Sequence, residues 1–179
     1  PEEIPDYWRE AADHLDQRGD RTRVLEIPGI DFASYRWGNT VDPITPGLID
    51  RPYVARELIP YGSAPSADLL NALDLRLQEL TLEPEALAVV ARLMSVGDLV
   101  LRNDLQYERY NTPRPRTLWE LVSGAPGLGD PVTFGSDEPN VPIPEAPLID
   151  EEHLVRDALF PDPPAVAAFP VEDPVEIVH

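Results

Sequence analysis

Proline sets the frame for what this chain can fold into. It occurs 22 times in 179 residues, about two to three times the usual share. Each proline fixes φ and removes a backbone donor. It is therefore tolerated in the first turn of a helix, at a strand end or in a turn, but not inside a helix or a central strand. Up to about residue 134 these stops cut the chain into short regular pieces. From Gly135 onward prolines recur every two to three residues, at Pro139, Pro142, Pro144 and Pro147, which favours extended, polyproline-like backbone.

Between the stops the hydrophobic spacing is legible. Pro5 opens a helical pattern in which Trp8, Ala11, Ala12 and Leu15 share a face, with Gly19 as its stop. Arg23–Ile27 reads as a strand ended by Pro28-Gly29. The span from Ile30 to Gly47 has no clean period and reads as a long aromatic loop, of a kind that is either functional or packed onto the body. Asp50-Arg51-Pro52 is expected to start a short helix through Leu58, stopped by Pro60. Ser66 is expected to cap a helix to about Leu80, with Leu69, Leu70, Leu73 and Leu77 as its stripe. Pro84 begins another, capped by Glu83 or Thr81 and striped by Leu87, Val90, Ala91 and Met94. Asp98–Arg102 reads as a second strand, Pro115–Val122 as a helix stopped by Gly124, and Val132–Phe134 as a third strand. The expected fold class is α/β, a small layered sheet of three or more strands covered by helices. Residues 1–134 would form this domain. Residues 135–179 would be a Pro-rich extended segment with a short helix over Glu151–Leu159, capped by Asp150, and its last stretch, Val166–Val178, leading toward a further domain. The segment from Gly135 to Pro147 is expected to lie along the domain surface, because Val141, Ile143, Leu148 and Ile149 are too apolar for a free linker. Pro1 in place of a Met, and an end on Val-Glu-Ile-Val-His, predict a piece cut from a longer chain.

Charge and composition exclude several functions. The net charge is −19, with arginine as the only basic residue type besides histidine. That excludes nucleic acid or an anionic membrane surface as the main partner, since phosphate binding needs clustered cations. No cysteine is present, so disulfides, thiolate metal sites and cysteine nucleophiles are excluded. No run approaches 18 consecutive apolar residues, and no signal-peptide pattern is present. His14, His153 and His179 lack ligand spacing, no serine stands in a GxSxG context, and Gly124–Gly129 lacks the GxGxxG spacing. No metal and no cofactor is predicted.

Two groups of residues remain as candidates. Asp104 and Glu108 follow the second strand, where α/β sheets bind ligands. Paired carboxylates suit glycoside chemistry, while Arg102 and Arg109 offer them plain salt bridges. Arg36, Trp37, Asn39 and Asp42 form the densest aromatic and polar cluster. Trp and Arg anchor interfaces, and an aromatic face with Asn, Asp or Arg suits a sugar ring. The plainer reading has Trp37 closing the core against Trp8, Val24 or Leu101 and Arg36 paired with Asp31 or Asp42. Trp37 itself is expected to follow that plainer reading, which leaves binding mainly to Arg36, Asn39 and Asp42.

Three longer strings carry a resemblance. Arg23-Val-Leu-Glu-Ile-Pro-Gly29, Phe32-Ala-Ser-Tyr-Arg-Trp-Gly-Asn-Thr-Val-Asp42 with Asp50-Arg-Pro52, and Leu99-Val-Leu-Arg-Asn-Asp-Leu105 with Arg114-Pro-Arg116 resemble the actinobacterial α-(1→3)-arabinofuranosyltransferase family. The likeness covers about Tyr7 to Phe134 and is expected to extend into the Pro-rich tail. It implies a polytopic GT-C type membrane enzyme that adds arabinofuranose from a decaprenyl-phosphate donor to the arabinan of arabinogalactan and lipoarabinomannan. It also implies that the catalytic acids lie in a loop of the membrane domain, so that no catalytic residue falls on this chain. The resemblance makes this a soluble accessory domain on the extracytoplasmic, periplasmic face of the plasma membrane. It would be tethered by the parent membrane domain, with the remainder of that protein and the cell-wall arabinan acceptor as partners. Two other readings compete with it. One is a structural or interaction module that binds no glycan. The other is a glycoside-processing enzyme using Asp104 and Glu108.

Overall fold

A computed structural model of the chain describes residues 3–56, 62–110, 112–140 and 160–178. Strand β1 (Arg23–Ile27) and strand β5 (Val96–Arg102) lie side by side and parallel, in the register Leu25 to Leu99 and Ile27 to Leu101. They are buried almost throughout, Glu26, Asp98 and Arg102 included, because both faces of the sheet are covered, the usual condition of parallel strands. Around them the sheet runs β4-β1-β5-β7-β6, with β4 (Tyr53–Val54) parallel to β1. The other two, β7 (Val166–Pro170) and β6 (Val132–Phe134), run antiparallel to their neighbours.

Side chains alternate across a strand, and here the alternation sorts the core into two layers. Leu25, Ile27, Leu99, Leu101, Ala167 and Phe169 point to one face. There they meet Leu73 and Leu77 of α2 (Ala64–Gln78), Leu87 and Ala91 of α3 (Pro84–Leu93), and Leu118 and Val122 of α5 (Pro115–Ser123). Val24, Val100, Val166 and Ala168 point to the other face. They are covered by Trp8, Ala11, Ala12 and Leu15 of α1 (Asp6–Gln17) and by Tyr35 of a separate hairpin. The α/β class, the pairing of the two expected strands and their cover of Leu-rich helices therefore hold.

Four local expectations are corrected. The expected helix from Asp50 is, over its described part, the short strand β4. Arg51 there is buried on Asp98 at 2.6 Å, and the Pro52 carbonyl accepts the Val24 N–H at 2.9 Å, ties a helix would break. The aromatic loop contains a two-stranded hairpin, β2 (Ala33–Tyr35) and β3 (Gly38–Val41), with Arg36-Trp37 at its tip. Helix α2 starts at Ala64 after Ser63, so Ser66 lies inside it, and Leu69 is only half-buried. Val166–Pro170, within the stretch expected to lead away, is the strand between β5 and β6. The expectations for Val141, Ile143, Leu148, Ile149 and the helix Glu151–Leu159 lie outside the described residues. Among the described residues no helix is long and apolar enough to cross a membrane.

Candidate functional site

Immediately beyond β5 the chain turns polar, at Asn103 and Asp104, and a short helix α4 (Tyr107–Tyr110) follows. This is the carboxyl end of the parallel pair β1–β5, the position at which α/β sheets leave a crevice. Asp104 is buried, and its Oδ2 accepts three hydrogen bonds: from Trp8 Nε1 at 2.8 Å, Trp37 Nε1 at 2.9 Å and Tyr7 Oη at 2.9 Å. Trp8 and Tyr7 come from the first turn of α1 and Trp37 from the hairpin tip, so this one carboxylate ties three elements together. Tyr35 lies between the indoles, stacked on Trp37 at 4.7 Å and edge-on to Trp8 at 5.9 Å. Burial pushes the Asp104 carboxyl above the usual carboxylate range, and the three hydrogen bonds and Arg102 offset only part of that. Burial and the neighbouring Asp104 charge push the Tyr7 phenol up in turn.

Arg36 is fixed with equal care. Its backbone N–H donates to the Asp104 carbonyl at 2.8 Å, and its guanidinium makes a two-pronged ion pair with Glu108 at 2.6 and 2.7 Å. Its Nε–H donates to Asn140 Oδ1, and the guanidinium sits 5.2 Å from the centre of the Tyr107 ring. Asn140 is buried and donates to the carbonyls of Asn103 at 2.6 Å and Leu105 at 3.0 Å. The start of the Pro-rich segment is thus laid onto the domain through one asparagine.

These groups surround a cleft of about 360 Å³ whose lining includes Tyr7, Arg36, Trp37, Asn103, Asp104, Glu138 and Asn140. That volume is within the range of small-ligand sites. Of the four hairpin candidates, Arg36 and Trp37 reach the cleft, while Asn39 and Asp42 are exposed farther along the hairpin and do not line it. Trp37 is half-buried, a wall of the cleft packed on Tyr35. Arg36 pairs with Glu108 and not with Asp31 or Asp42. Asp31 is held by Arg56, Arg102 is buried against Glu26, and Arg109 bonds Gln106. Asp104 and Glu108 are both drawn into fixed partners, Asp104 by aromatic donors and Glu108 by a guanidinium.

Sequence reasoning missed Tyr7, Trp8, Asn103, Glu138 and Asn140 as parts of this site. Trp8 reads correctly as a core residue of an amphipathic helix, and nothing local announces that its N–H serves a carboxylate 96 positions away. Asn103 did carry a signal, as the first uncharged polar side chain after an all-buried strand at the carboxyl edge of the sheet.

A five-stranded mixed sheet covered on both faces, with a cleft at the carboxyl end of its parallel strands, defines an α/β domain. Within that class the chain belongs to the α-(1→3)-arabinofuranosyltransferase family, matching the family's N-terminal GT-C domain over residues 2–178. It is 32% identical over 170 residues to the α-(1→3)-arabinofuranosyltransferase of Mycolicibacterium smegmatis, covering 94% of this chain and 12% of that protein. It is 31% identical over 175 residues to the Mycobacterium tuberculosis enzyme of the same name, covering 96% and 12%. Among solved structures it superposes on the cryo-EM structure of arabinofuranosyltransferase AftD from Mycobacteria with a TM-score of 0.77 and 27% identity, over 95% of this chain and 12% of that one. A mutant form of that enzyme gives a TM-score of 0.73 at 27% identity. The chain spans 12% of the length of the curated relatives it matches.

Proposed function

We propose that this domain is an extracytoplasmic accessory domain of a GT-C type membrane arabinofuranosyltransferase. In this reading the membrane part transfers arabinofuranose from decaprenyl-phosphate to the arabinan of arabinogalactan and lipoarabinomannan. This domain helps hold the acceptor glycan and performs no chemistry itself. The observation that carries the reading is the cleft at the hairpin tip. Trp37 and Tyr7 offer aromatic surface beside polar groups, while the two acids able to run glycoside hydrolysis are tied to other side chains. One ring contact with two or three hydrogen bonds gives weak binding once association and ordering costs are met. Affinity for an arabinan fragment is therefore expected in the high-micromolar to millimolar range, roughly 4–6 kcal/mol. Chemical-shift titration of wild type and Trp37→Ala with arabinofuranosyl oligosaccharides tests this, with the folding of the variant checked by its spectrum. Saturable shifts that Trp37→Ala loses support the reading, and no shifts at millimolar glycan overturn it.

A second reading, as an interaction module within the parent protein, is favoured by one observation. Val89 and Leu93, one turn apart on α3, are 54% and 75% exposed, and Leu75 in the last turn of α2 and Leu80 just beyond it are more than half exposed. Both roles fit one domain, since the cleft is lined by other elements.

A further inference from the structure

We infer that Glu108 sets what the cleft accepts: by pairing off the guanidinium of Arg36 it makes this a site for a neutral, hydroxyl-bearing ligand and not for a phosphate. This rests on the acceptor-holding role proposed above. On that reading the cleft takes the acceptor glycan and refuses the phosphate-bearing donor, and Glu108 has a task other than hydrolysis.

Arg36 is the one cation among the described residues that line the cleft. A free guanidinium in a concave wall is a ready phosphate site, because its planar fork meets two oxygens at once. Here the fork is already taken. Nη1 and Nη2 donate to Oε1 and Oε2 of Glu108 at 2.6 and 2.7 Å. The Glu108 side chain is 1% exposed against 19% for Arg36, so the carboxylate lies deeper than the guanidinium, where solvent and salt screen it least. The pair carries no net charge, and a phosphate reaches the fork only by displacing a buried carboxylate.

Arg36 is held in this pairing by three other contacts. Its backbone N–H is bound to the Asp104 carbonyl at 2.8 Å, its Nε–H donates to Asn140 Oδ1, and its guanidinium lies 5.2 Å from the centre of the Tyr107 ring. Glu108 stands on α4, so the hairpin tip, that helix and the start of the Pro-rich segment all meet at this one side chain. The exposed Glu138, also in the lining, adds repulsion toward an anion. What remains attractive is the aromatic surface of Trp37 and Tyr7 beside uncharged polar groups, which suits a neutral ring.

The test is a ¹H–¹⁵N titration, read at the Trp37 indole N–H and the Arg36 Nε–H. The probes are an arabinofuranose disaccharide and the same disaccharide phosphorylated at its terminal O5. Wild type is expected to bind the neutral form and to bind the phosphorylated form more weakly. Glu108→Gln, with its fold checked by its spectrum, is expected to bind the phosphorylated form about tenfold more tightly than wild type does. The neutral form should change far less, and the gain should vanish in Glu108→Gln with Arg36→Gln. No gain in Glu108→Gln, or loss of both sugars by the folded variant, overturns the inference and leaves the acceptor-holding role standing. An equal gain in Glu138→Gln, which removes the same charge from an exposed position, overturns it too, since the effect would then be one of overall charge. If Glu108→Gln fails to fold, wild type still decides, because equal binding of both forms overturns the inference. No response of wild type to either sugar overturns both the inference and the role it rests on.

Discussion

Asp104 shows how much one side chain can organise. Its Oδ2 gathers Tyr7, Trp8 and Trp37, and its own burial raises its pKa. The sign of the linked stability follows. A carboxyl whose folded value is raised contributes stability that is fully present below the unfolded value, about 3.9, and is lost as pH climbs through the folded value. Wild type is therefore expected to lose stability relative to Asp104→Asn between about pH 4 and about pH 7. Denaturant melts of both proteins at the two pH values measure this, and a constant difference would refute it. Glu108 is held instead by Arg36, in a two-pronged ion pair. Sequence spacing grouped these two acids, but the folded chain gives them unrelated partners.

The two helices that follow Pro5 and open on Pro84 formed where the sequence placed them. Helix α1 buries the four residues its spacing marks, and α3 begins at Pro84 and buries Leu87 and Ala91. Leu87→Ala removes a side chain that is 1% exposed from between α3 and the sheet, at an expected cost of about 2–5 kcal/mol by denaturant melt. The hairpin β2–β3 was hidden because its tip is Arg36-Trp37, without the Asn-Gly or Asp-Gly pair that announces such turns. Its tip and first strand are held from outside, the Arg36 N–H donating to Asp104 O at 2.8 Å and the Gln106 N–H to Ser34 O at 3.0 Å. Strand β4 was hidden for a similar reason, being two residues that pair only because Arg51 beside them is anchored. Arg51 reaches Asp98 at 2.6 Å, Leu15 O at 3.3 Å and Thr22 Oγ1 at 2.6 Å, and it occupies the space a Cβ on Gly97 would need, 2.8 Å away. Arg51→Met leaves Asp98 buried with only the half-exposed Arg18 as partner. A loss of about 3–5 kcal/mol is expected, clearly more than for Arg18→Met, and equal losses would contradict this account.

For the molecule as a whole, the decisive strand is the last one. β7 pairs with β5 over five positions and with β6 over three, and its Phe169 and Ala167 complete one core layer while Val166 and Ala168 complete the other. A chain ending at residue 159 is therefore expected to lose cooperative thermal unfolding, and a sharp calorimetric transition in that truncation would show β7 to be dispensable. The sequence by itself determined the α/β class, the cores of α1, α3 and α5, the strands β1 and β5, and the polar turn that ends β5. Each of these depends on residues within a few positions of one another, through helical or strand periodicity and the backbone limits of proline. Only the tertiary structure decided where β7 inserts, that Arg36 serves Glu108, and that Trp8, Trp37 and Tyr7 converge on Asp104. The side-chain contacts of Asp104 with Tyr7, Trp8 and Trp37, and of Arg36 with Glu108, join residues 67 to 97 positions apart. Such contacts form only once packing has met the entropy of closing long loops, so no local pattern records them.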